Sequence, residues 1–251
     1  MTNLSIQVDG YVSPFASQLP KVAVSDIIYI EKFEEDAYGH WLFGADSGSL
    51  IDKVNSRALS LQSGATVQPM YGNGFVELGA SKGNSLQSNL LDNVGNGFTV
   101  SGVVLPGTID LMVLLGNLGD NTAPQGAGIF ASANKVYLTS RTTVSSLEAG
   151  LLIDMSKPFF ISFSVNKTTT VVNIVAMQNG VTYEKTSSGA YTGAASALSV
   201  GNSRYTTSAA YNSLKNKYYE AIIHDKALSL AEMKGIASRA KTRQAYRGIS
   251  F

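Results

Sequence analysis

Residues 159–184 read FFISFSVNKTTTVVNIVAMQNGVTYE, and they carry the strongest strand signals in the sequence. Residues 159–165 and 170–177 are two runs of β-branched and aromatic residues, and Asn179-Gly180 separates the second run from a third. An Asn-Gly pair between two alternating apolar runs is the strongest short-range signal for a β-hairpin. The stretch therefore predicts a meander of antiparallel strands.

Similar short runs recur along the chain at a spacing of roughly 8–12 residues, with Gly and Asn between them. They are residues 26–30, 41–44, 57–61, 75–78, 98–105, 109–115, 128–131, 135–138, 198–200 and 218–223. Many short strands of this kind predict an all-β sandwich or barrel. Residues 186–213 are rich in Ser, Thr, Ala, Gly, Asn and Tyr, and we interpret them as long polar loops that carry tyrosines.

Helical periodicity is convincing only near the end of the sequence. Ser229 and Glu232 form the capping-box pattern, in which a hydroxyl caps one backbone amide and a carboxylate reaches back to another. Apolar residues then recur at helical spacing: Leu230, Met233, Ile236 or Ala237, and Ala240. We expect a C-terminal α-helix that stops near Gly248.

Composition excludes several classes of protein. The chain has 251 residues with a net charge of +1, which argues against nucleic-acid binding by phosphate neutralisation and against a membrane surface held by basic charge. It has no cysteine, so thiolate metal sites, disulfides and cysteine nucleophiles are excluded. No apolar run is long enough to span a bilayer, and the first residues lack the pattern of a signal peptide.

The first 30 residues differ from the rest. They hold two of the six prolines, Pro14 and Pro20, and show no sustained period. We interpret residues 1–30 as an N-terminal arm or attachment segment and residues 31–251 as one sandwich with a C-terminal helix. The alternative is that residues 1–30 contain the first one or two strands of the sandwich.

Four segments resemble the concanavalin A-like and laminin G-like jelly rolls. Residues 218–233 resemble that family's last strand, turn and short helix, and residues 198–201 resemble the strand before its final loop. Residues 75–78 with 98–104 resemble its early strand pair, and His40-Trp41-Leu42-Phe43 with the later Asp52 resembles its opening strand and turn. The resemblance covers residues 38–235. It implies two antiparallel sheets packed face to face, a two-sheet antiparallel jelly-roll sandwich.

The polar composition and this fold together resemble bacteriophage virion proteins: tail-fibre, head-fibre and decoration proteins. The resemblance implies a non-enzymatic virion protein, made in the host cytoplasm, whose partners are other virion proteins, copies of itself (as a trimer) and a host-surface glycan. It implies neither a nucleic-acid partner nor membrane insertion. Two alternatives stay open, a purely structural virion component without glycan binding and a carbohydrate-active enzyme.

The sequence offers little for catalysis. Glucanases of this fold need two carboxylates about 5 Å apart, and the nearest candidate, Glu220, stands alone at what we interpret as a strand edge or rim. Residues 79–83 match the Gly-x-Ser-x-Gly nucleophile motif, but they lie between strand-like runs and predict a solvated turn. His40 and His224 are isolated and have no zinc-site spacing. Trp41 is expected in the core.

No cofactor is expected, apart from a structural calcium ion that the family allows. Calcium needs several oxygen ligands from carboxylates, amides and carbonyls. The acidic and amide residues in loop-like contexts are Asp46, Asp52, Asp92, Asp120 and Asn121. No segment has the pattern of a dedicated calcium loop, so the metal ligands remain unknown.

A glycan site needs aromatic faces and amide or carboxylate partners, which also suit protein interfaces. The polar loop at residues 201–213 contains both kinds of residue. The ligand-binding residues that the sequence predicts are Asn202, Tyr205, Tyr211 and Asn212. The alternative is a surface loop whose tyrosines pack on the sandwich or on a neighbouring subunit.

Overall fold

Fifteen strands and one long helix make up the part of the chain that this computed structural model describes, namely residues 32–108, 112–120, 125–140, 144–148 and 153–251. The strands are β1 (Gly39–Leu42), β2 (Ser60–Leu61), β3 (Met70–Gly72), β4 (Phe75–Gly79), β5 (Asn84–Leu91), β6 (Gly97–Leu105), β7 (Met112–Gly116), β8 (Ala127–Ser132), β9 (Lys135–Ser140), β10 (Val144–Glu148), β11 (Phe159–Asn166), β12 (Val171–Gln178), β13 (Val181–Ser188), β14 (Ala197–Asn202) and β15 (Lys215–His224). The helix is α1 (Leu230–Tyr246). No helix in these ranges is long and apolar enough to cross a membrane.

The strands form two antiparallel sheets. Within the described residues, the first sheet has the order β13-β12-β11-β6-β15-β4-β3, and β1 pairs with the second half of β15 beyond β4. The second sheet has the order β10-β9-β8-β7-β14-β5-β2. We call the first sheet the helix-side sheet because α1 packs on its outer face. The predicted all-β jelly-roll sandwich with a C-terminal helix is confirmed.

The main core lies between the two sheets and follows the two-residue period of the strands. In β11, Phe159, Ile161 and Phe163 face this core. Trp41 is fully buried in it, as predicted, and its indole nitrogen donates a hydrogen bond to the Arg57 carbonyl at 3.2 Å. Gly39 leaves room for the Trp41 ring, because a Cβ atom at residue 39 would lie 2.3 Å from that ring.

A second apolar cluster lies between the helix-side sheet and α1. Phe160 and Ile222 contribute from the sheet, and Met233, Ile236 and Ala240 contribute from the helix. The predicted capping box is present: the Ser229 hydroxyl accepts from the Glu232 amide, and the Glu232 carboxylate accepts from the Ser229 amide. The helix ends at Tyr246, and Gly248 follows with a φ of +76°, consistent with the predicted stop.

A β-bulge in β15 changes which side chains face the helix. Tyr218 pairs with Val104 while Glu220 pairs with the adjacent Val103, so β15 has one extra residue at Tyr219. Side chains two residues apart in a regular strand face the same side of the sheet. Because Tyr218 faces the main core, a regular β15 would point Glu220 into that core as well. The bulge instead places Glu220 on the outer face, beneath α1.

The strand predictions agree with the structure in most of the described part. Three strands were not predicted: β3, β5 and β10. β5 is hard to recognise because its buried positions include the polar Asn84, Ser85 and Ser88. The polar stretch at residues 186–213 is not all loop, since β13 extends to Ser188. The division of the chain at residue 30 stays a prediction, since residues 1–31 lie outside the described part, as does the predicted strand at 26–30.

Candidate functional site

A groove of about 550 Å³ opens at one end of the sandwich, and we call it the end groove. The register of the strands brings several strand ends together at this end of the sandwich. The end of β14 lies beside the start of β5, with Asn202 opposite Asn84. The end of β4 lies beside the start of β15, with Gly79 opposite Lys215. Three connections supply its walls: residues 62–69, 80–83 and 203–214. Its polar lining residues are Thr66, Ser81, Lys82, Thr206, Thr207 and Asn212.

Asn84 holds the first two walls together. Its side-chain oxygen accepts hydrogen bonds from the backbone amides of Thr66 and Val67, both at 2.9 Å. Its amide nitrogen donates to the Ser81 hydroxyl at 2.7 Å. Because Asn84 is buried at the start of β5, these bonds fix Thr66 and Ser81 relative to the sheet.

Asn202 holds the third wall in the same way. Its amide nitrogen donates to the carbonyls of Ala80 at 3.1 Å and Tyr205 at 2.9 Å, and its oxygen accepts from the Tyr205 amide at 3.0 Å. The loop at 203–214 therefore turns back on the end of β14. A 3-10 turn at Ala209–Tyr211, capped by Ser208, shapes the far part of this wall.

Lys82 is the charged residue that lines the end groove, and its partner Asp120 lies behind the lining residues Lys82 and Thr206. The Lys82 ammonium donates to the Asp120 carboxylate at 3.1 Å, and the Thr206 hydroxyl donates to the same carboxylate oxygen at 2.9 Å. The Lys82 side chain is 50% exposed, so its ammonium can also meet a ligand. The end groove thus presents hydroxyl, amide and ammonium groups beside a carboxylate, which can donate to and accept from the hydroxyls of a bound molecule.

The four predicted ligand-binding residues lie at the end of β14 and in the loop that follows it, but their surroundings differ. Asn212 is exposed and lines the end groove. Asn202 is fully buried, and its side-chain amide is engaged in organising the loop. Tyr205 and Tyr211 are half-buried. The ligand-binding role of these four residues stays a prediction. Sequence reasoning missed Thr66, Ser81 and Lys82, whose neighbours in space are remote in the chain.

Glu220 belongs to a buried ion network beneath α1, and not to a rim or strand edge as its isolation in the sequence suggested. Arg243 donates to one Glu220 oxygen at 2.6 and 2.9 Å, and His40 lies 2.9 Å from the same oxygen. Gln244 donates to the other oxygen at 2.8 Å. Glu34 completes the network, since Arg243 donates to it at 3.0 Å and Arg239 donates to both of its oxygens.

The hydrogen bonds of this network fit a structural role for Glu220. The His40 Nδ1 atom accepts from the Glu34 amide at 3.0 Å, so Nε2 carries the hydrogen that is donated to Glu220. Burial raises the pKa of Glu220, but the His40 hydrogen bond and the Arg243 charge outweigh it and bring the pKa to about 2. A general acid needs a raised pKa and an open face. Glu220 has neither, because its oxygens are occupied by Arg, His and Gln donors.

The other candidate catalytic residues, His224 and Ser81, lie far apart in the fold. His224 is buried on the outer face of the helix-side sheet, where burial lowers its pKa and the nearby Asp36 opposes the shift. The motif at residues 79–83 begins in the last residue of β4, and residues 80–83 form the predicted turn before β5. Ser81 in that turn faces the end groove, far in the fold from the two histidines, which contact Glu220 and Asp36.

The described candidate calcium residues, Asp46, Asp52, Asp92 and Asp120, form no cluster that could hold a metal ion. Asp46 caps a 3-10 turn by accepting from the Gly48 amide at 2.8 Å, and Asp52 accepts from the amides of Val54 and Asn55 at 2.7 Å. Asp120 pairs with Lys82, and Asn121 lies outside the described residues. Within the described ranges, no group of three His, Cys, Asp or Glu side chains could hold a metal ion.

No known protein family and no curated protein matches the sequence. The fold is similar to solved binding domains of botulinum neurotoxins. For serotype G the TM-score is 0.56 at 12% identity, over 82% of this chain and 51% of that one. For the serotype D binding domain the TM-score is 0.54 at 11% identity, and the match covers 83% of this chain and 52% of that one. A third structure belongs to botulinum neurotoxin type C, whose cell entry is dependent upon interaction with two ganglioside molecules. Its TM-score is 0.51 at 11% identity, and the match covers 80% of this chain and 51% of that one. This chain spans about half the length of these structures, and the likeness shows a shared fold.

Proposed function

We propose that this chain is a lectin-like binding protein without enzymatic activity, and that the end groove binds a surface glycan. The observation that carries the proposal is the set of hydroxyl, amide and ammonium groups that three loops hold around one groove. We propose further that the protein is a component of a bacteriophage virion, as a tail-fibre, head-fibre or decoration protein that assembles with virion proteins or with itself.

The chemistry of the end groove suits a sugar. A sugar hydroxyl both donates and accepts hydrogen bonds, and the pair of Lys82 and Asp120 offers an ammonium and a carboxylate side by side. Thr206, Thr207 and Asn212 add neutral donors and acceptors on the third wall. Because Asn84 and Asn202 fix the walls, a ligand would meet groups that are already positioned, which lowers the entropy cost of binding.

Two further points support the proposal. The solved structures with this fold include binding domains, and one belongs to a toxin whose cell entry depends on gangliosides. The ion network shows Glu220 engaged on all sides, which removes the best candidate for glycosidic catalysis. The virion role rests on the resemblance of the composition and fold to bacteriophage fibre and decoration proteins.

The test is a glycan array that includes bacterial surface polysaccharides, followed by calorimetry on the glycans that bind. Lys82→Ala and Asn212→Ala should each weaken binding. The loss for Lys82→Ala should be about tenfold or more, because a hydrogen bond from a charged group contributes about 1.5–3 kcal/mol. The matched control is Lys226→Ala, since Lys226 is also 50% exposed and paired with an aspartate, Asp36, at the opposite end of the sheet.

Equal binding by wild type and both end-groove variants would place the site elsewhere. Tyr205→Ala and Tyr211→Ala would then show whether the tyrosines of the same loop carry it. Absence of binding to every polysaccharide would favour the alternative, a purely structural virion component. The mass of the protein in solution would then be the deciding measurement.

A further inference from the structure

Four oxygen atoms converge on the ammonium of Lys167. Three are backbone carbonyl oxygens of one short segment, residues 92–95, which we call the Asp92 loop. The ammonium donates to the carbonyls of Asp92, Val94 (3.1 Å) and Gly95 (3.4 Å). The fourth is the Asp92 carboxylate oxygen Oδ1, at 3.5 Å. The Lys167 side chain is only 16% exposed, and its ammonium also lies 5.7 Å from the centre of the Phe98 ring.

This arrangement needs a positive charge at its centre. Carbonyl dipoles aimed at one point repel one another, and the buried Asp92 carboxylate adds negative charge. Oxygen ligands of this kind, carbonyls together with a carboxylate, are those that hard cations such as calcium take in proteins. Asp92 Oδ1 is buried and has no hydrogen-bond donor among the described residues, so the Lys167 ammonium is what balances its charge.

The Asp92 loop is held in place by contacts that do not involve Lys167. The other carboxylate oxygen, Asp92 Oδ2, accepts from the Tyr191 hydroxyl at 2.6 Å, the Ala194 amide at 2.9 Å and the Asn117 side chain at 3.0 Å. The Asp92 amide donates to the Ser196 carbonyl at 3.0 Å. These contacts hold the backbone and the carboxylate of Asp92 in place when the lysine is shortened.

We propose that the Asp92 loop is a cation-binding site whose resident cation is the Lys167 ammonium, and that it binds calcium when this ammonium is removed. In the wild-type chain the lysine makes a metal ion unnecessary at this loop. One carboxylate and three carbonyls leave room for water ligands, and the low ligand charge corresponds to a dissociation constant on the order of millimolar.

The experiment compares the full-length wild type with Lys167→Ala and Lys167→Met. The thermal unfolding midpoint of each protein is measured in a chelator and in 10 mM calcium chloride. This calcium concentration is about tenfold above the expected dissociation constant. The matched control is Lys157→Ala, which removes a lysine from an exposed ion pair with Asp154 of similar length, 3.4 Å. Terbium provides a second readout, because Tyr191 touches Asp92 and can sensitise the emission of an ion bound there.

We expect both Lys167 variants to melt lower than wild type in chelator and to regain about 3–6 °C in calcium. They should also show tyrosine-sensitised terbium emission that calcium displaces, while wild type and Lys157→Ala show neither effect. The proposal is wrong if calcium leaves the Lys167 variants unchanged, or if it raises wild type by the same amount. Failure of both variants to fold in the presence of calcium would also overturn it.

Discussion

Replacing the Glu220 carboxylate tests the ion network beneath α1. In Glu220→Gln the side chain keeps its size but loses its charge, while Arg243 stays buried opposite it. The new amide nitrogen replaces one carboxylate oxygen, so either Gln244 or the donors of Arg243 and His40 lose an acceptor. Removing one partner of a buried ion pair typically costs about 3–5 kcal/mol. We therefore expect a large loss in the free energy of unfolding at neutral pH.

The pH dependence of stability gives a second value for the contribution of Glu220 to the free energy of unfolding. The pKa of Glu220 falls from 4.5 to about 2 on folding, so the folded state binds fewer protons than the unfolded state as the pH drops. Stability from this group is complete above the unfolded value and is lost as the pH falls from about 5 towards 2. A pKa difference of one unit corresponds to about 1.4 kcal/mol, so the difference of about 2.5 contributes about 3 kcal/mol.

The assay is urea denaturation at several pH values between 7 and 2.5, followed by the fluorescence of Trp41, which is the only tryptophan and is buried in the core. The stability difference between wild type and Glu220→Gln should be about 3 kcal/mol at pH 7 and should shrink steadily below pH 4.5. Glu184→Gln is the control, because its exposed pair with Lys234 is worth less than about 1 kcal/mol. A difference that is small at pH 7, or that does not change with pH, would refute the reasoning.

Two further substitutions test the packing and the helix. Gly39→Ala should lower stability by about 1–3 kcal/mol, because the new methyl group would overlap the Trp41 ring; a thermal melt with unchanged midpoint would contradict this. Ser229→Ala removes the hydroxyl of the capping box and should cost about 1 kcal/mol. Circular dichroism during urea unfolding measures it, and Ser238→Ala, in the middle of α1, is the control that should cost less.

Much of the fold was predictable because its signals are local. The Asn179-Gly180 turn and the apolar runs on either side of it depend on residues that are neighbours in the chain, and β12 and β13 lie where they predict. β5 was missed because most of its buried positions, Asn84, Ser85 and Ser88, are polar. These side chains are satisfied by distant partners, as when the Ser88 hydroxyl donates to the Leu198 carbonyl at 2.8 Å.

The end groove was only partly predictable. The polar loop at residues 201–213 indicated one wall, and Asn212 lies on it. Thr66 and Lys82 reach the same groove only because the register of the sheets brings the start of β5 beside the end of β14. Nothing in the local sequence around these two residues distinguishes them from other polar turn residues.

Local sequence determines the strands, the hairpin and the capped helix, since each depends on interactions within a few residues. The orientation of Glu220 and the surroundings of Lys167 depend on the tertiary structure. One extra residue in β15 turns Glu220 from the main core to α1, and strand alternation alone predicts the opposite face. The oxygens around Lys167 come from a loop more than 70 residues earlier in the chain. Only the packed sheets bring that loop and the lysine together, because pairing between distant segments is set by register and burial and leaves no local pattern.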